Sequence, residues 1–314
     1  MIVNKLVEND SDNIRLDRWF KRNYPSLNHS SLEKMLRKGE IRLDGNKVKS
    51  STRISGGQNI SYPEFIDKLP PTTRQSSISK DDIKFINSLV LYKDNNLIII
   101  NKPSGLATQG GSKIRKNVDG LLDGLKSGNE IRPKLVHRLD KDTSGILALA
   151  LNSQSANYLT KMFADKKIEK TYVALVNNRP KQAKGTIDYS LIKTGNSTGS
   201  YEKIEVDEED GKYAITEYLV LDSIGKEYAL VELKPLTGRT HQLRVHMQAI
   251  GCPIVGDGKY GGINGNENNI GIENGLHLHA RRIVIPAFLG GKKIDITAPF
   301  PEHMQKSFKN LGIN

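Results

Sequence analysis

The segment "LVHRLDKDTSGILALAL", residues 135–151, joins a charged turn directly to an apolar run, and the interpretation of the larger domain begins from it. Its charged and hydroxyl residues are Arg138, Asp140, Lys141, Asp142, Thr143 and Ser144. The short apolar run after Gly145 predicts a buried strand, which would hold a reactive turn rigidly at a sheet edge. The plain alternative is a structural turn in which Thr143 and Ser144 only hydrogen-bond Asp140.

Further apolar runs downstream predict more strands than helices. "NLIII", "TYVALV", "AITEYLVL" and "YALVEL" are short, rich in branched residues and bounded by turn residues. Helical spacing is found in "SANYLTKMFADKKI" and in "HQLRVHMQAIG", which ends at a glycine. Long irregular connections between these segments indicate an α+β fold, not a regularly alternating α/β one.

The N-terminal segment predicts two short helices and a hairpin. "IRLDRWFKRNYP" places Leu16, Trp19 and Phe20 on one helical face, and "SSLEKMLRKG" begins with a capping box of Ser30 and Glu33. "IRLDGNKV" has the pattern of a hairpin. Basic residues cluster on these elements, and the candidates for RNA contact are Arg15, Arg18, Arg37 and Lys38.

A polar, Pro- and Ser/Thr-rich stretch at residues 64–88 predicts an extended linker. The predicted organisation is therefore a small basic domain at 1–63, the linker at 64–88 and a larger domain at 89–314.

The charge balance favours a polyanionic partner. Lys and Arg number 47 against 35 Asp and Glu, a net charge of +12, which favours nucleic acid. An anionic membrane is the competing partner, but no apolar run approaches the length of a spanning helix and no signal peptide is recognisable. We therefore expect a cytoplasmic protein. The single cysteine, Cys252, excludes an intrachain disulfide and a multi-cysteine zinc site.

Three apparent motifs are set aside on chemical grounds. The turn at 137–145 differs from a kinase catalytic loop because Leu139 separates the arginine from the aspartate. "GCPIVGDGK" has P-loop glycine spacing, but Asp257 stands where the phosphate-binding lysine belongs. The paired histidines His241 with His246 and His277 with His279 lack the spacing or the third ligand of a metal site, so no metal is expected.

Five blocks in order resemble the RluA/RluC/RluD family of RNA pseudouridine synthases. They are "NKPSGLATQGG" at 101–111, "HRLDKDTSG" at 137–145, "EKTYVALV" at 169–176, "LTGRTHQLRVHMQAIGCPIVGDGKYG" at 236–261 and "LHLHARRI" at 276–283. The resemblance implies a core with a mixed, largely antiparallel sheet. It also implies that the uracil of a uridine is detached from its ribose, rotated and rejoined through C5, a redox-neutral reaction that needs no cofactor.

The resemblance assigns three catalytic candidates. Asp140 would stabilise or capture the anomeric carbon, and whether it attacks the sugar or removes a proton from it stays open. Arg244 would pair with Asp140 and keep the carboxylate ionised in a water-poor pocket. Tyr172 would stack on the flipped uracil with its hydroxyl near the C5 proton that must be removed, and a position in the core is the structural alternative.

Four further residues are candidates for RNA contact in the larger domain. Arg138 would fill the space left by the flipped base, with a salt bridge to Asp142 as the structural alternative. Lys170 could bind phosphate or only be solvated. Arg239 and His241 lie in the fourth block and complete the predicted RNA-binding set.

The small N-terminal domain resembles the S4 RNA-binding domain, whose helix pair lies against RNA phosphates. Together with "GLATQGG", it is most similar to the RluC branch, which implies 23S ribosomal RNA or a large-subunit precursor as the partner. No membrane contact and no obligate protein partner are expected. The alternative is a non-catalytic RNA-binding factor in ribosome assembly.

Overall fold

The computed structural model describes residues 1–8, 14–69, 78–110, 114, 116–126, 132–195, 203–261 and 271–313. The chain divides into two compact units, Met1–Ser77 and Ile78–Asn314, here called the N-terminal unit and the C-terminal unit. Within the described residues, no helix has both the length and the apolar character needed to cross a bilayer.

The N-terminal unit combines two helices with small antiparallel sheets. Its elements are β1 (Ile2–Leu6), β2 (Ile14–Arg15), α1 (Leu16–Asn23), α2 (His29–Lys38), β3 (Arg42–Leu43), β4 (Arg53–Ile54), β5 (Asn59–Pro63) and a 3-10 turn at Glu64–Ile66. Strand β5 lies between β1 and β3, and β2 pairs with β4.

The predicted apolar faces of α1 and α2 are confirmed. Leu16, Trp19 and Phe20 of α1 are buried in the core of the unit, together with three residues of α2. The predicted capping box is wrong, because the N-cap of α2 is Asn28, whose side chain accepts a hydrogen bond from the Ser31 amide at 2.8 Å. An Asn side chain satisfies an unpaired amide of the first turn as well as Ser does, so spacing alone placed the helix start two residues late.

The C-terminal unit is built on one large sheet with helices around it. Its elements are α3 (Lys80–Ser88), β6 (Val90–Lys93), β7 (Leu97–Lys102), α4 (Val118–Leu121), β8 (Lys134–Leu135), β9 (Ser144–Ala150), α5 (Ser153–Ala164), β10 (Glu169–Asn177), β11 (Lys184–Asp188), β12 (Leu191–Thr194), β13 (Lys203–Val206), β14 (Ile215–Ile224), β15 (Tyr228–Pro235), α6 (Gln242–Ala249), β16 (Leu278–Ile285), β17 (Ile294–Thr297) and α7 (Glu302–Leu311).

The large sheet confirms the predicted α+β class. Its strands run in the order β11-β14-β15-β10-β16-β9-β7-β6, with β17 beside β16 and β8 beside β9. Among the described strands of this sheet, only β9 and β16 pair in parallel, so the sheet is mixed and largely antiparallel. Every residue of β9 is buried, which agrees with the strand predicted after Gly145.

The prediction of an extended linker at 64–88 is wrong at both ends. Ile66, in the 3-10 turn, is buried in the core of the N-terminal unit. Residues Lys80–Ser88 form α3, which begins at the N-cap Ser79 and buries Ile86 in the core of the C-terminal unit. The polar composition of this stretch reflects the solvent-facing sides of short helical segments. Residues 70–77 of the predicted linker lie outside the described part of the chain.

Gly145 sits where the reactive turn enters β9, and its backbone requires glycine. Its φ is 107°, and a Cβ built on it would overlap the carbonyl oxygen of Ala280 in β16. Side chains are strained at positive φ, and backbone this close cannot move aside without breaking the parallel pairing. Glycine therefore allows β9 and β16 to approach closely beside the turn.

We expect Gly145→Ala to lower the free energy of unfolding by about 2 kcal/mol or more, because it adds steric overlap to backbone strain. Chemical denaturation of the full chain measures this change. Gly225→Ala is the matched control, since Gly225 has a φ of 55° with no atom within 4 Å of a built Cβ. A decrease no larger than that of the control would contradict a steric role for the close approach.

Candidate active site

A buried lysine ties down the turn that precedes β9. Lys102 ends β7 and is fully buried, and its Nζ donates hydrogen bonds to the carbonyl oxygens of Pro103, Leu106 and Lys141 at 2.8–3.0 Å. Burial lowers the pKa of Lys102 to about 8, against the opposing charges of Asp142 and Asp140. The ammonium ion therefore remains largely protonated at neutral pH and binds the turn through its backbone.

Two hydroxyl groups of the same block add to this anchoring. Ser104 Oγ donates to the carbonyl oxygen of Asp142 at 2.7 Å. Thr108 Oγ1 donates to the carbonyl oxygen of Leu139 at 2.7 Å and accepts from the Leu139 amide at 3.1 Å. The residues on both sides of Asp140 are thus fixed by hydrogen bonds to their backbone.

His137 holds the start of the turn as a neutral side chain. Its Nε2 accepts from the amide of Ala148 in β9 at 2.9 Å, and its ring stacks on Phe163 with 4.3 Å between ring centroids. Burial, with a smaller effect from the charge of Lys170, lowers the pKa of His137 to about 3. A group that stays neutral and accepts from the backbone has a structural role here.

The turn opens into a cavity of about 490 Å³. Its wall is formed by the turn before β9, the end of α5, β10, the segment between β15 and α6, and the start of α6. All seven site candidates of the larger domain line it, and these are Arg138, Asp140, Lys170, Tyr172, Arg239, His241 and Arg244. Residues separated by about a hundred positions therefore meet in one concave site of the size that small-molecule groups occupy.

A buried glutamine shapes the segment between β15 and α6. Gln242 Oε1 accepts from Thr237 Oγ1 at 2.7 Å and from the Arg239 amide at 3.0 Å. Its Nε2 donates to the Ile215 carbonyl oxygen at 2.8 Å and to Thr216 Oγ1 at 3.0 Å. This wall of the cavity is thus held to β14 by the side chain of Gln242 together with Thr237, whose Oγ1 accepts from the Ile215 amide at 2.9 Å.

The predicted ion pair between Asp140 and Arg244 is not formed in the described residues. Arg244 instead donates from Nε and Nη2 to the two carboxylate oxygens of Asp257, each at 2.7 Å, and both side chains are buried. The correction has a geometric cause, since a guanidinium fork is satisfied by one carboxylate approached in its own plane. The charge of Asp140 acts on Arg244 at longer range. Among the described residues, the nearest basic group to Asp140 is His241, with 3.8 Å between Oδ2 and Nε2.

Asp257 is the site residue that sequence reasoning missed. The sequence pattern presents it only as the carboxylate that excludes a P-loop, although it lies in the same block as Arg244. Its Oδ1 also accepts from the amides of Lys259 and Tyr260. Burial lowers the pKa of Arg244, but the hydrogen bond and charge of Asp257 and the charge of Asp140 outweigh this and raise it. Arg244 is therefore a permanent buried cation near Asp140.

Tyr172 lines the cavity from β10 as a protonated phenol. Burial, reinforced by the negative charge of Asp140, raises the pKa of Tyr172 well above its ordinary value. A phenol in this state offers a flat ring and a hydrogen-bond donor, and it is a poor base near neutral pH.

His241 lies between Asp140 and a tyrosine. It precedes α6 with a φ of 53°, and its Nδ1 is 2.8 Å from the hydroxyl oxygen of Tyr260. Burial, with the charges of Arg244 and Lys259, lowers the pKa of His241, although Asp140 and Asp257 act in the opposite direction. The imidazole faces the carboxylate of Asp140. This position favours an interaction with Asp140 over the predicted contact with RNA.

The remaining cationic candidates of the cavity differ in exposure. Arg138 is exposed, and among the described residues it forms no ion pair within 4 Å with Asp142. Arg239 is also exposed, with its Nε donating to the Tyr213 carbonyl oxygen. Lys170 is half-buried, and burial together with the charge of Lys166 lowers its pKa. Positive charge is therefore arranged around the opening.

The N-terminal candidates differ in how strongly nearby carboxylates engage them. Arg15 is bound through Nε and Nη2 to the carboxylate of Asp17, which also raises the pKa of Arg15. Lys38 lies 3.5 Å from Glu40. Arg18 and Arg37 are exposed and lack an ion pair within the described residues.

The other histidines considered for metal binding make structural hydrogen bonds. His277 Nε2 meets Ser307 Oγ at 2.9 Å, and His279 Nδ1 meets Ser144 Oγ at 2.8 Å. Burial lowers the pKa of both His277 and His279 to about 4. His246 is buried in α6, with its Nε2 at 3.2 Å from the Tyr189 carbonyl oxygen.

We expect Asp257→Asn to lower the free energy of unfolding by about 3 kcal/mol, because it leaves the buried Arg244 without a counter-charge. Thermal or chemical denaturation measures the decrease. Asp295→Asn is the matched control, because Asp295 binds Arg282 with the same two-pronged geometry on the surface. An exposed pair contributes little, so equal decreases in the two variants would contradict the importance of burial.

Comparison with known proteins agrees with this site. A family model described as RNA pseudouridylate synthase matches residues 96–249. Ribosomal large subunit pseudouridine synthase C of Rickettsia bellii is 38% identical over 301 residues, covering 93% of this chain and 96% of that protein. The protein of the same name from Vibrio cholerae is 30% identical over 318 residues, covering 97% of this chain and 95% of that protein.

A solved structure extends the likeness to the fold. The human protein RNA Pseudouridylate Synthase Domain Containing 4 is 27% identical to this chain. The match covers 73% of this chain and 95% of the human chain, with a TM-score of 0.59. Similarity over nearly the whole sequence, the shared fold and the clustering of the motif residues in one cavity lead to one conclusion. The chain belongs to the RNA pseudouridylate synthase family.

Proposed function

We propose that this enzyme converts specific uridines of large-subunit ribosomal RNA into pseudouridine, with Asp140 acting on the sugar of a flipped nucleotide. The proposal of substrate is supported by relatives named ribosomal large subunit pseudouridine synthase C, which match nearly the full length of the chain. Ribosomal RNA as substrate agrees with the predicted cytoplasmic location, and the net charge of +12 suits a polyanion.

One observation carries the catalytic assignment: the half-buried Asp140 opens into the same cavity as Tyr172 and Arg244. Breaking the bond between N1 and C1′ builds positive charge on C1′, which a carboxylate stabilises or captures. After the uracil rotates, C5 bonds to C1′, the C5 proton leaves and N1 gains a proton. Substrate and product have the same atomic composition and oxidation level, so the reaction needs no added oxidant or reductant.

Tyr172 and Arg244 have separate roles in this proposal. The protonated ring of Tyr172 would stack on the uracil and orient it during rotation. Arg244, fixed by Asp257, would act on Asp140 through its electric field, since its fork is already occupied.

Arg138 is the proposed wedge that replaces the flipped base. It stands two residues before Asp140, is exposed and is not engaged by Asp142. A planar guanidinium can stack between bases as well as bind phosphate. Lys170 and Arg239, on two other walls of the cavity, would bind phosphates beside the target nucleotide.

The N-terminal unit would act as an S4-type RNA-binding domain. Its helix pair presents Arg18 and Arg37 to solvent, with Lys38 nearby and Arg15 largely occupied by Asp17. Nonspecific phosphate contacts from such a unit would raise affinity without selecting a sequence. The alternative, a non-catalytic RNA-binding assembly factor, is not favoured, because it gives no reason for the intact cavity and its relatives are named as synthases.

We expect Asp140→Asn to bind RNA with unchanged affinity and to reduce pseudouridine formation on the order of a thousandfold or more, since it keeps shape and removes the charge. Chemical mapping of pseudouridine with carbodiimide, on ribosomal RNA from cells lacking the enzyme and cells carrying the variant, measures the reduction and names the target uridines. An undiminished map with the Asn variant would refute the role of Asp140.

We expect the double variant Arg18→Gln with Arg37→Gln to bind RNA more weakly and with a shallower salt dependence. Each arginine that no longer neutralises a phosphate reduces the slope of log K against log salt by roughly 0.7 to 0.9. Arg15→Gln is the matched control within the same unit and should change the slope less, because Asp17 already neutralises Arg15. An unchanged slope in the double variant would contradict RNA binding by this face.

A further inference from the structure

We propose that His241 is a positioning residue for Asp140, with its Nε2–H group directed at the carboxylate and its tautomer set by Tyr260. The inference rests on the proposed role of Asp140 and deepens it. The imidazole of His241, and not the guanidinium of Arg244, is then the donor that orients the reactive carboxylate.

His241 supplies the nearest basic group to the reactive carboxylate. Among the described residues, the one cationic or imidazole nitrogen within 4 Å of Asp140 is Nε2 of His241, at 3.8 Å from Oδ2. The guanidinium of Arg244 would be the expected partner of the Asp140 carboxylate, but its Nε and Nη2 already donate to Asp257. At 3.8 Å the contact is longer than a hydrogen bond, and such contacts in free enzymes often tighten when substrate binds.

The proton on His241 can be placed from its neighbours. The hydroxyl oxygen of Tyr260 accepts from the Ile204 amide at 3.1 Å, and the hydroxyl carries one proton of its own. That proton is available for the other contact of the hydroxyl, Nδ1 of His241 at 2.8 Å. With Nδ1 as acceptor, a neutral imidazole carries its hydrogen on Nε2, the nitrogen that faces Asp140.

The position of the imidazole is fixed by more than one hydrogen bond. The backbone of His241 is held at a φ of 53°, in the left-handed region, and its carbonyl oxygen accepts from the Val245 amide in α6. A positive φ is uncommon for residues other than glycine, and histidine, like asparagine and aspartate, is one of the residues that adopt it more readily than others. With the backbone held in this way, the ring lies between the hydroxyl of Tyr260 and the carboxylate of Asp140.

Tyr260 is in turn held by the buried ion pair. Its amide donates to Asp257 Oδ1, and the guanidinium carbon of Arg244 lies 5.0 Å from the centre of its ring. A continuous set of contacts therefore runs from the Asp257 and Arg244 pair through Tyr260 and His241 to Asp140. The ion pair then serves to fix the tyrosine that orients the imidazole.

An RNA-binding role for His241 fits this environment less well. Only 18% of its side chain is exposed, Nδ1 is satisfied by Tyr260, and Nε2 faces a carboxylate. A residue that contacts phosphate should offer a donor at the surface, as Arg138 and Arg239 do. Removing a positioning residue lowers kcat, whereas removing a side chain that binds phosphate raises KM or Kd.

The test compares His241→Asn with the unmodified enzyme in the full chain. Asparagine tolerates the left-handed backbone and can still reach Tyr260, but its side chain is too short to place a donor beside Asp140. We expect kcat to fall on the order of a hundredfold, with KM and RNA affinity unchanged. Release of tritium from RNA labelled at C5 of uridine measures kcat, because C5 gives up its hydrogen when it bonds to the sugar.

Chemical rescue separates positioning from a purely structural role. His241→Gly relieves the strain at φ 53° and leaves space for a ring, so added imidazole should restore part of the missing kcat in a saturable manner. Tyr260→Phe keeps the ring beside Arg244 but removes the hydroxyl, and we expect an intermediate decrease of kcat. His241→Gly with added ethanol and Asp140→Asn with added imidazole are the controls, and neither should recover activity.

The possible outcomes either support or overturn the inference. An unchanged kcat in His241→Asn, an effect confined to KM or RNA affinity, or no recovery of His241→Gly with imidazole would each overturn it. If Asp140→Asn itself stays active, the proposed role of Asp140 fails and the inference fails with it. If Asp140→Asn is inactive while His241→Asn is fully active, only the inference about His241 fails.

Discussion

The hydrogen bonds that the buried Lys102 ammonium group donates to backbone carbonyl oxygens hold the reactive turn in place. Lys102 ends a strand that pairs with β9, and its Nζ binds three backbone carbonyl oxygens, one of which belongs to Lys141 in the turn. A buried cation is unfavourable unless its donors are satisfied, so the turn must keep its carbonyl oxygen in place. Asp140 is therefore carried on a backbone that has little freedom.

The two buried cations of the site differ in whether a bound carboxylate neutralises them, and the positive charge that remains favours an anionic substrate. Arg244 is neutralised by Asp257, whereas Lys102 is satisfied by neutral carbonyl groups. Asp140 is thus a carboxylate near two buried cations, and exposed or half-buried cations lie around the opening of the cavity. The net field draws an RNA phosphate backbone to the opening while the pocket itself accepts an uncharged base.

The fold explains why residues distant in the sequence meet. Strands β9 and β16 approach closely at Gly145 because no side chain there overlaps Ala280, and β10 lies on the other side of β16. This order brings the turn before β9 and Tyr172 of β10 to one end of the sheet. The segment after β15, fixed to β14 by Gln242, then closes the cavity with the start of α6.

Local patterns were enough to predict much of this molecule. The faces of α1 and α2, the buried strand after Gly145 and the α+β class follow from periodicity and turn chemistry, because these depend on neighbours along the chain. Seven of the residues that line the cavity were predicted from the motifs that resemble the synthase family. The helix at Lys80–Ser88 does carry a local signal, because Ser79 caps it and two aspartates lie in its first turn, but the polar composition of the stretch concealed it. Only contacts between distant segments determine that Arg244 binds Asp257 and that His241 faces Asp140. The partner of a buried charge depends on which backbone segments approach it in space, and an amino-acid sequence contains several carboxylates that could satisfy the same guanidinium.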